Sequence, residues 1–202
     1  SLKLILNMIK TINMFTGAEK GFLASNIKKR IKGVNYDYGD VLLYKEYNHI
    51  NKIFHFAGPS DDFDFNNSKK VVDVIVNGTI NMLQLAKQTN AKFIFASTKG
   101  VETPNNVYCY SKLLMEKYIQ DNYNNWIILR IPRVYDKTRK KGLMKKIRLN
   151  LIPQDHMDRK IEFLTLDQFI QQTLKVDNQR NIIYNYDNLY CETISNIKKL
   201  YT

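Results

Sequence analysis

No run in the 202-residue chain approaches the roughly 18 consecutive apolar residues that a membrane-spanning helix requires, so no span is expected. Cysteine is scarce: Cys109 and Cys191 lie far apart without metal-ligand spacing, which fits a reduced cytoplasm. His49 and His156 have no partner spacing either, and no metal site is expected. The first ten residues contain a short apolar stretch but no small-residue cleavage site, so a signal peptide is not expected. No internal repeat or low-complexity linker breaks the chain, and its length suits one sizeable core better than two full domains.

Acidic residues are few beside basic ones, 19 against 31, giving a formal net charge of +12. Such a surface gathers polyanions without saying which: nucleotide, sugar nucleotide and nucleic acid all qualify. The most basic stretch, 137–148, reads either as a contact for the phosphates of a nucleotide sugar or nucleic acid or as a solvated or flexible loop; without interleaved aromatics or a nucleic-acid module, nucleic acid is disfavoured. A chain 44% hydrophobic and 12% aromatic is expected to fold.

Apolar periodicity supplies the elements. A β-type run at 11–15 leads through Thr16, Gly17 and Gly21 into a helical stretch at 22–31. A short strand is predicted at 33–38, a turn or two of helix at 40–47, and a continuous apolar strand at 53–57. Helical spacing over 69–89 precedes a strand at 92–96, a helix at 108–123 and a strand at 126–130 ended by Pro132. A strand leading into a helix follows at 161–174, and 181–202 adds one more of each. The alternation predicts an α/β fold: a Rossmann-like, doubly wound parallel sheet over 1–136, with a small C-terminal α+β lobe over 137–202.

Two motifs carry chemistry. The turn after the first strand, Thr-Gly-Ala-Glu-Lys-Gly-Phe-Leu-Ala, opens a helix whose N–H groups suit a pyrophosphate. Gly17 permits the tight turn, Gly21 admits the phosphates, and Ala24 is small enough for helix-to-strand packing. The second motif is Tyr108 and Lys112, four apart on one helix face, where an ammonium would pull the phenol down from about 10 toward general acid–base work. A surface Tyr–Lys pair is the plain alternative in a chain rich in both.

In order, Ile53–Gly58, Phe93–Thr98, the Tyr108/Lys112 pair, Leu129–Tyr135 and Ile161–Phe169 resemble the extended short-chain dehydrogenase/reductase superfamily, the NAD-dependent epimerase/dehydratase group. The resemblance implies that Thr98 is the catalytic hydroxyl, that Tyr108 exchanges the proton, and that Lys112 binds the nicotinamide ribose and tunes the phenol. It implies NAD or NADP as cofactor, held by Gly17, Lys20, Gly21, Phe22, Leu23, Phe56, Ala57 and Gly58, with Asp37 at the adenosine ribose and Asp40 at the adenine. Ser97 and Arg133 would meet a nucleotide-activated sugar, and His55 matches a core or cofactor-side histidine. A homodimer pairing helix 69–89 with the Tyr108 helix is also implied, with Val72, Ile75, Val76, Met82 and Leu83 as its apolar stripe.

The departures are specific. The glycine loop is one residue longer than usual, its third glycine is Ala24, and the span from Ile31 to Ile53 is short. Lys99 and Gly100 stand where dehydratase members carry an acidic pair, so 4,6-dehydratase chemistry is not expected. Arg133 and Asp136 replace the Asn and Gly of an Asn-Val-Tyr-Gly pattern. Two readings follow: an NAD(P)-dependent epimerase or reductase of nucleotide sugars, or a relative that binds a dinucleotide or anion without turning it over.

Overall fold

The computed structural model describes residues 11–36, 49–59, 65 and 67–201. In chain order these form β1 (Thr11–Thr16), α1 (Phe22–Lys28), β2 (Val34–Asn35), β3 (His49–His55) and α2 (Ser68–Val71). A π-helical segment (Val72–Asn77) joins α2 to α3 (Gly78–Thr89), followed by β4 (Lys92–Thr98), α4 (Val107–Asn122), β5 (Trp126–Ile131) and β6 (Arg133–Tyr135). The rest is α5 (Gly142–Arg148), β7 (Lys160–Thr165), α6 (Leu166–Val176), β8 (Ile182–Asn185), β9 (Tyr190–Thr193) and α7 (Ile194–Tyr201). The helical turns expected at 40–47 lie outside the described residues, as do Asp37 and Asp40.

Six strands form one parallel sheet in the order β2-β1-β3-β4-β5-β8. The strands are apolar on both faces because helices cover both. Phe93, Phe95, Trp126 and Ile128 face Val71, Ile75, Met82, Leu83, Met115 and Ile119 on one side. Their sequence neighbours Ile94, Ala96, Ile127 and Leu129 face Ala24, Ile27, Phe169 and Ile170 on the other. This is the Rossmann-like α/β architecture that the alternation predicts. The chain runs outward from β1 to β2, then returns to the other side of β1 at β3. In open α/β sheets, ligands bind in the crevice at such a reversal.

The segment beyond residue 136 divides between two sheets. β8 joins the large sheet beside β5, and α6 packs on that sheet's second face. β6, β7 and β9 form a separate three-stranded sheet, with β7 antiparallel to β9. Met144 and Ile147 of α5 and Ile194 and Ile197 of α7 close a third apolar cluster over it. The basic loop expected over 137–148 is half a helix, because Met144 and Ile147 are core residues between its lysines.

The stripe expected to form a dimer face also differs. Ile75, Met82 and Leu83 are buried in the core; only Val72 of the five is exposed. Helical period puts the most apolar face of 68–89 on the sheet, so it is not available to a second copy. The exposed apolar residues beside it are on α4: Tyr110, Leu113 and Leu114.

Candidate active site

The crevice begins at the first turn. Gly17 has φ +74, and a Cβ there would lie 2.9 Å from the backbone of Ala57 at the end of β3. Gly21 donates its N–H to Gly17 O at 3.0 Å, and a Cβ on it would strike that same oxygen. Gly17 therefore brings the β1 turn into backbone contact with the β3 terminus, and Gly21 closes the turn on itself. Thr16 Oγ1 secures the approach, accepting from Ala57 N–H at 3.2 Å while bonding His55 Nδ1 at 2.7 Å. His55 Nε2 meets Thr79 Oγ1 at 3.1 Å, so the buried ring is held at both nitrogens. Burial, and then the Lys112 charge, lower its pKa to about 3, so it is a neutral core histidine.

Lys20 is exposed on the turn, and Phe22 and Leu23 are half-buried at the start of α1. Phe56 is half-buried, Ala57 buried and Gly58 exposed on the β3 side.

α4 carries Tyr108, Lys112 and Glu116 at successive i, i+4 positions, on one face turned to the sheet. Lys112 is buried, and its ammonium donates to Ala96 O at 2.6 Å, lying 4.5 Å from the Phe95 ring centroid. It is 5.8 Å from the Tyr108 ring centroid. A Cβ added at Gly58 would be 3.8 Å from the same Nζ, so Lys112 lies beneath the β3 terminus. Burial lowers its pKa to about 7, against the pull of Glu116 to raise it. The native chain thus sheds this proton above about pH 7, whereas an unfolded lysine keeps it up to its ordinary value of 10.5. Between those values the unfolded state binds more protons, so this group makes stability rise with pH. Melting temperatures of wild type and Lys112→Met across that window should converge toward acid and diverge toward alkali in favour of the wild type. Parallel curves would contradict it.

Tyr108 stacks on Phe65 with ring centroids 4.4 Å apart. Burial pushes its phenol well above the usual range, and the neighbouring Cys109 thiol adds to this while Arg139 opposes it. Thr98, at the end of β4, accepts the Gly100 N–H on Oγ1 at 3.2 Å, which leaves its own hydrogen free to donate. Ser97 behaves differently: it is buried and bonds Glu116 Oε1 at 2.5 Å. Its register partner on β5 is Arg130, whose guanidinium makes three bonds to the same carboxylate at 2.8 to 3.2 Å. Arg133 is exposed on β6. A recess of about 270 Å³ opens beside the β4 end, lined by Lys99, Glu102, Arg130, Pro132, Asn185 and Tyr186.

Two charged residues in this region escape a motif search. Glu116 stands one i, i+4 step beyond Lys112, and that spacing is the signal that would have found it. Arg139 lies within the basic run, and its partly buried guanidinium stacks 5.5 Å from the Phe22 ring centroid.

The family model for the NAD-dependent epimerase/dehydratase family matches residues 28–187. The chain belongs to this family. Similar curated members include UDP-glucuronic acid decarboxylase 4 of Arabidopsis thaliana, 29% identical over 96 residues, 47% of this chain and 21% of that protein. UDP-glucuronic acid decarboxylase 1 of the same plant is 30% identical over 90 residues, 44% and 20% respectively. The matched segment thus spans about a fifth of these relatives' length. Among solved structures, the fold is shared with dTDP-4-dehydrorhamnose reductase from Bacillus anthracis in complex with NADP. The TM-score is 0.75 at 17% identity, over 96% of this chain and 80% of that one. It is also shared with UDP-glucose 4-epimerase from Thermus thermophilus in complex with NAD, at TM-score 0.73 and 15% identity, over 94% and 81%. No described helix of this epimerase/dehydratase family member is long and apolar enough to cross a membrane.

Proposed function

We propose that the chain is an NAD(P)-dependent oxidoreductase of the epimerase or reductase type, acting on a nucleotide-activated sugar. The observation that carries this reading is the juxtaposition at the β1/β3 crevice. Backbone too close for any Cβ at Gly17 borders it, and the buried Lys112 lies beneath the Gly58 end of β3, on the same helix face as Tyr108. A dinucleotide would dock along this turn, where Gly17 and Gly21 carry no side chain to obstruct an approaching pyrophosphate. Gly17, Lys20, Gly21, Phe22, Leu23, Phe56, Ala57 and Gly58 would hold it. When bound, the nicotinamide supplies hydride exchange.

The chain's own groups handle the proton and the oxygen. Thr98, with its oxygen already accepting from Gly100, would donate to the reacting oxygen. Tyr108 would exchange the proton at its hydroxyl, and Lys112 would bind the ribose. The recess lined by Lys99, Glu102, Arg130 and Asn185 offers charges of both signs and an amide to a hydroxyl-rich sugar. Arg133, exposed beside it, would grip a diphosphate. Fluorescence titration with NADH and NADPH tests the reading; absence of binding to either at millimolar concentration would remove it.

A non-catalytic dinucleotide binder draws support from one observation: the Lys112 ammonium bonds Ala96 O, and the phenol stays high. Loss of turnover on removing the phenol separates the two readings.

A homodimer through α4 belongs to the same proposal, with Val72, Tyr110, Leu113 and Leu114 as its apolar patch. Leu114→Glu should convert a dimer-sized species to a monomer in sedimentation. A wild type that sediments as a monomer would refute it.

A further inference from the structure

The chain bends sharply after β6. Asp136 accepts the Thr138 N–H at 2.7 Å and the Thr138 hydroxyl as well, and Arg139 N–H closes the turn on Asp136 O at 3.1 Å. Arg148, the last residue of α5, fixes the other side by donating to Lys137 O at 2.6 Å and to Arg139 O. The residue that departs from the family pattern at 136 thus supplies the acceptor that makes the turn.

With its backbone held at both ends, Arg139 turns inward while Lys137, Thr138 and Lys140 remain exposed. One N–H donates to Val134 O at 2.7 Å, the guanidinium lies over the Phe22 ring, and Nε is enclosed with no partner. Among the described residues no carboxylate pairs with Arg139, and burial works against its charge. A guanidinium has five donors and accepts nothing. Removing it from water without a counter-charge is unfavourable, and an arriving anion reverses that.

We infer that Arg139 receives the diphosphate of a bound nucleotide, reaching it from the segment after β6 and engaging two oxygens with its planar fork. The inference rests on the dinucleotide reading above and adds to it a cation outside the glycine turn. Phe22, which opens α1 directly after that turn, puts Arg139 on the cofactor side. Ordering of 136–148 and nucleotide binding are then linked through Asp136 and Arg148, which act as positioning residues.

Calorimetric titration of wild type, Arg139→Gln and Arg139→Met with NADH, ADP-ribose and UDP at two salt concentrations tests this. Kd for NADH and ADP-ribose should rise about 10- to 100-fold in both variants, with a smaller salt dependence than the wild type. The melting temperature of the free protein should stay level or rise in Arg139→Met, because an uncompensated buried cation is gone. A loss confined to UDP would assign the same contact to the diphosphate of a second nucleotide. Wild-type binding with unchanged Kd in both variants overturns the inference, as does a fall in melting temperature with affinity intact. A wild type that binds none of the three compounds defeats the dinucleotide reading itself, and the inference with it.

Discussion

Tyr108→Phe is expected to lower turnover of a nucleotide sugar by a factor on the order of 10²–10⁴, the usual contribution of a positioned proton donor, while leaving dinucleotide affinity unchanged. The ring would keep its stacking on Phe65, so the fold has little reason to respond. Burial holds the phenol protonated across neutral pH. It therefore starts as an acid, suited to protonating an oxygen that gains charge during hydride addition. Steady-state kinetics beside a binding titration separates the two effects. Equal kcat/KM in the variant would remove Tyr108 from the reaction and leave the non-catalytic binder as the better account.

The second large effect falls on stability. Glu116 is buried, and its carboxylate serves the Ser97 hydroxyl, the Arg130 guanidinium and, through its field, the Lys112 ammonium. Glu116→Ala leaves two cations without their nearest counter-charge. Breaking such a pair costs roughly 3–5 kcal/mol, which for a domain of this size lowers the melting temperature by about 6–20 °C. Glu116→Gln keeps a hydrogen-bond acceptor and should fall less. A double-mutant cycle with Arg130→Ala should recover part of the loss, since the orphaned guanidinium is then removed too. Additive losses would mean that the pair is not coupled.

The large sheet was legible because its strands are apolar on both faces and its turns carry glycine. Lys92 to Ala96 and Trp126 to Arg130 read as strands, and they are, within β4 and β5. The glycine turn was legible as a turn, but its physical reason was only half visible: Gly21 is required by Gly17 O, a contact between backbones that no side-chain pattern records. Helix 68–89 was legible as a helix, but not which of its apolar residues meet the sheet: Ile75, Met82 and Leu83 do, while Val72 stays exposed. The inward turn of Arg139 escaped notice since composition makes every basic residue in 137–148 look alike. Only the Asp136 turn and the Arg148 clasp distinguish it.

β8 enters the large sheet between two strands of the small one, after β7 and before β9, pairing Ile182 with Ile127 and Ile183 with Ile128. The two sheets are therefore interleaved along the chain rather than one appended to the other. Severing the chain near residue 136 would strip β5 of its outer neighbour and uncover the Ile127 and Leu129 face now roofed by Phe169 and Ile170. The segments on either side of residue 136 are then expected to melt together, and a fragment cut there to fold poorly.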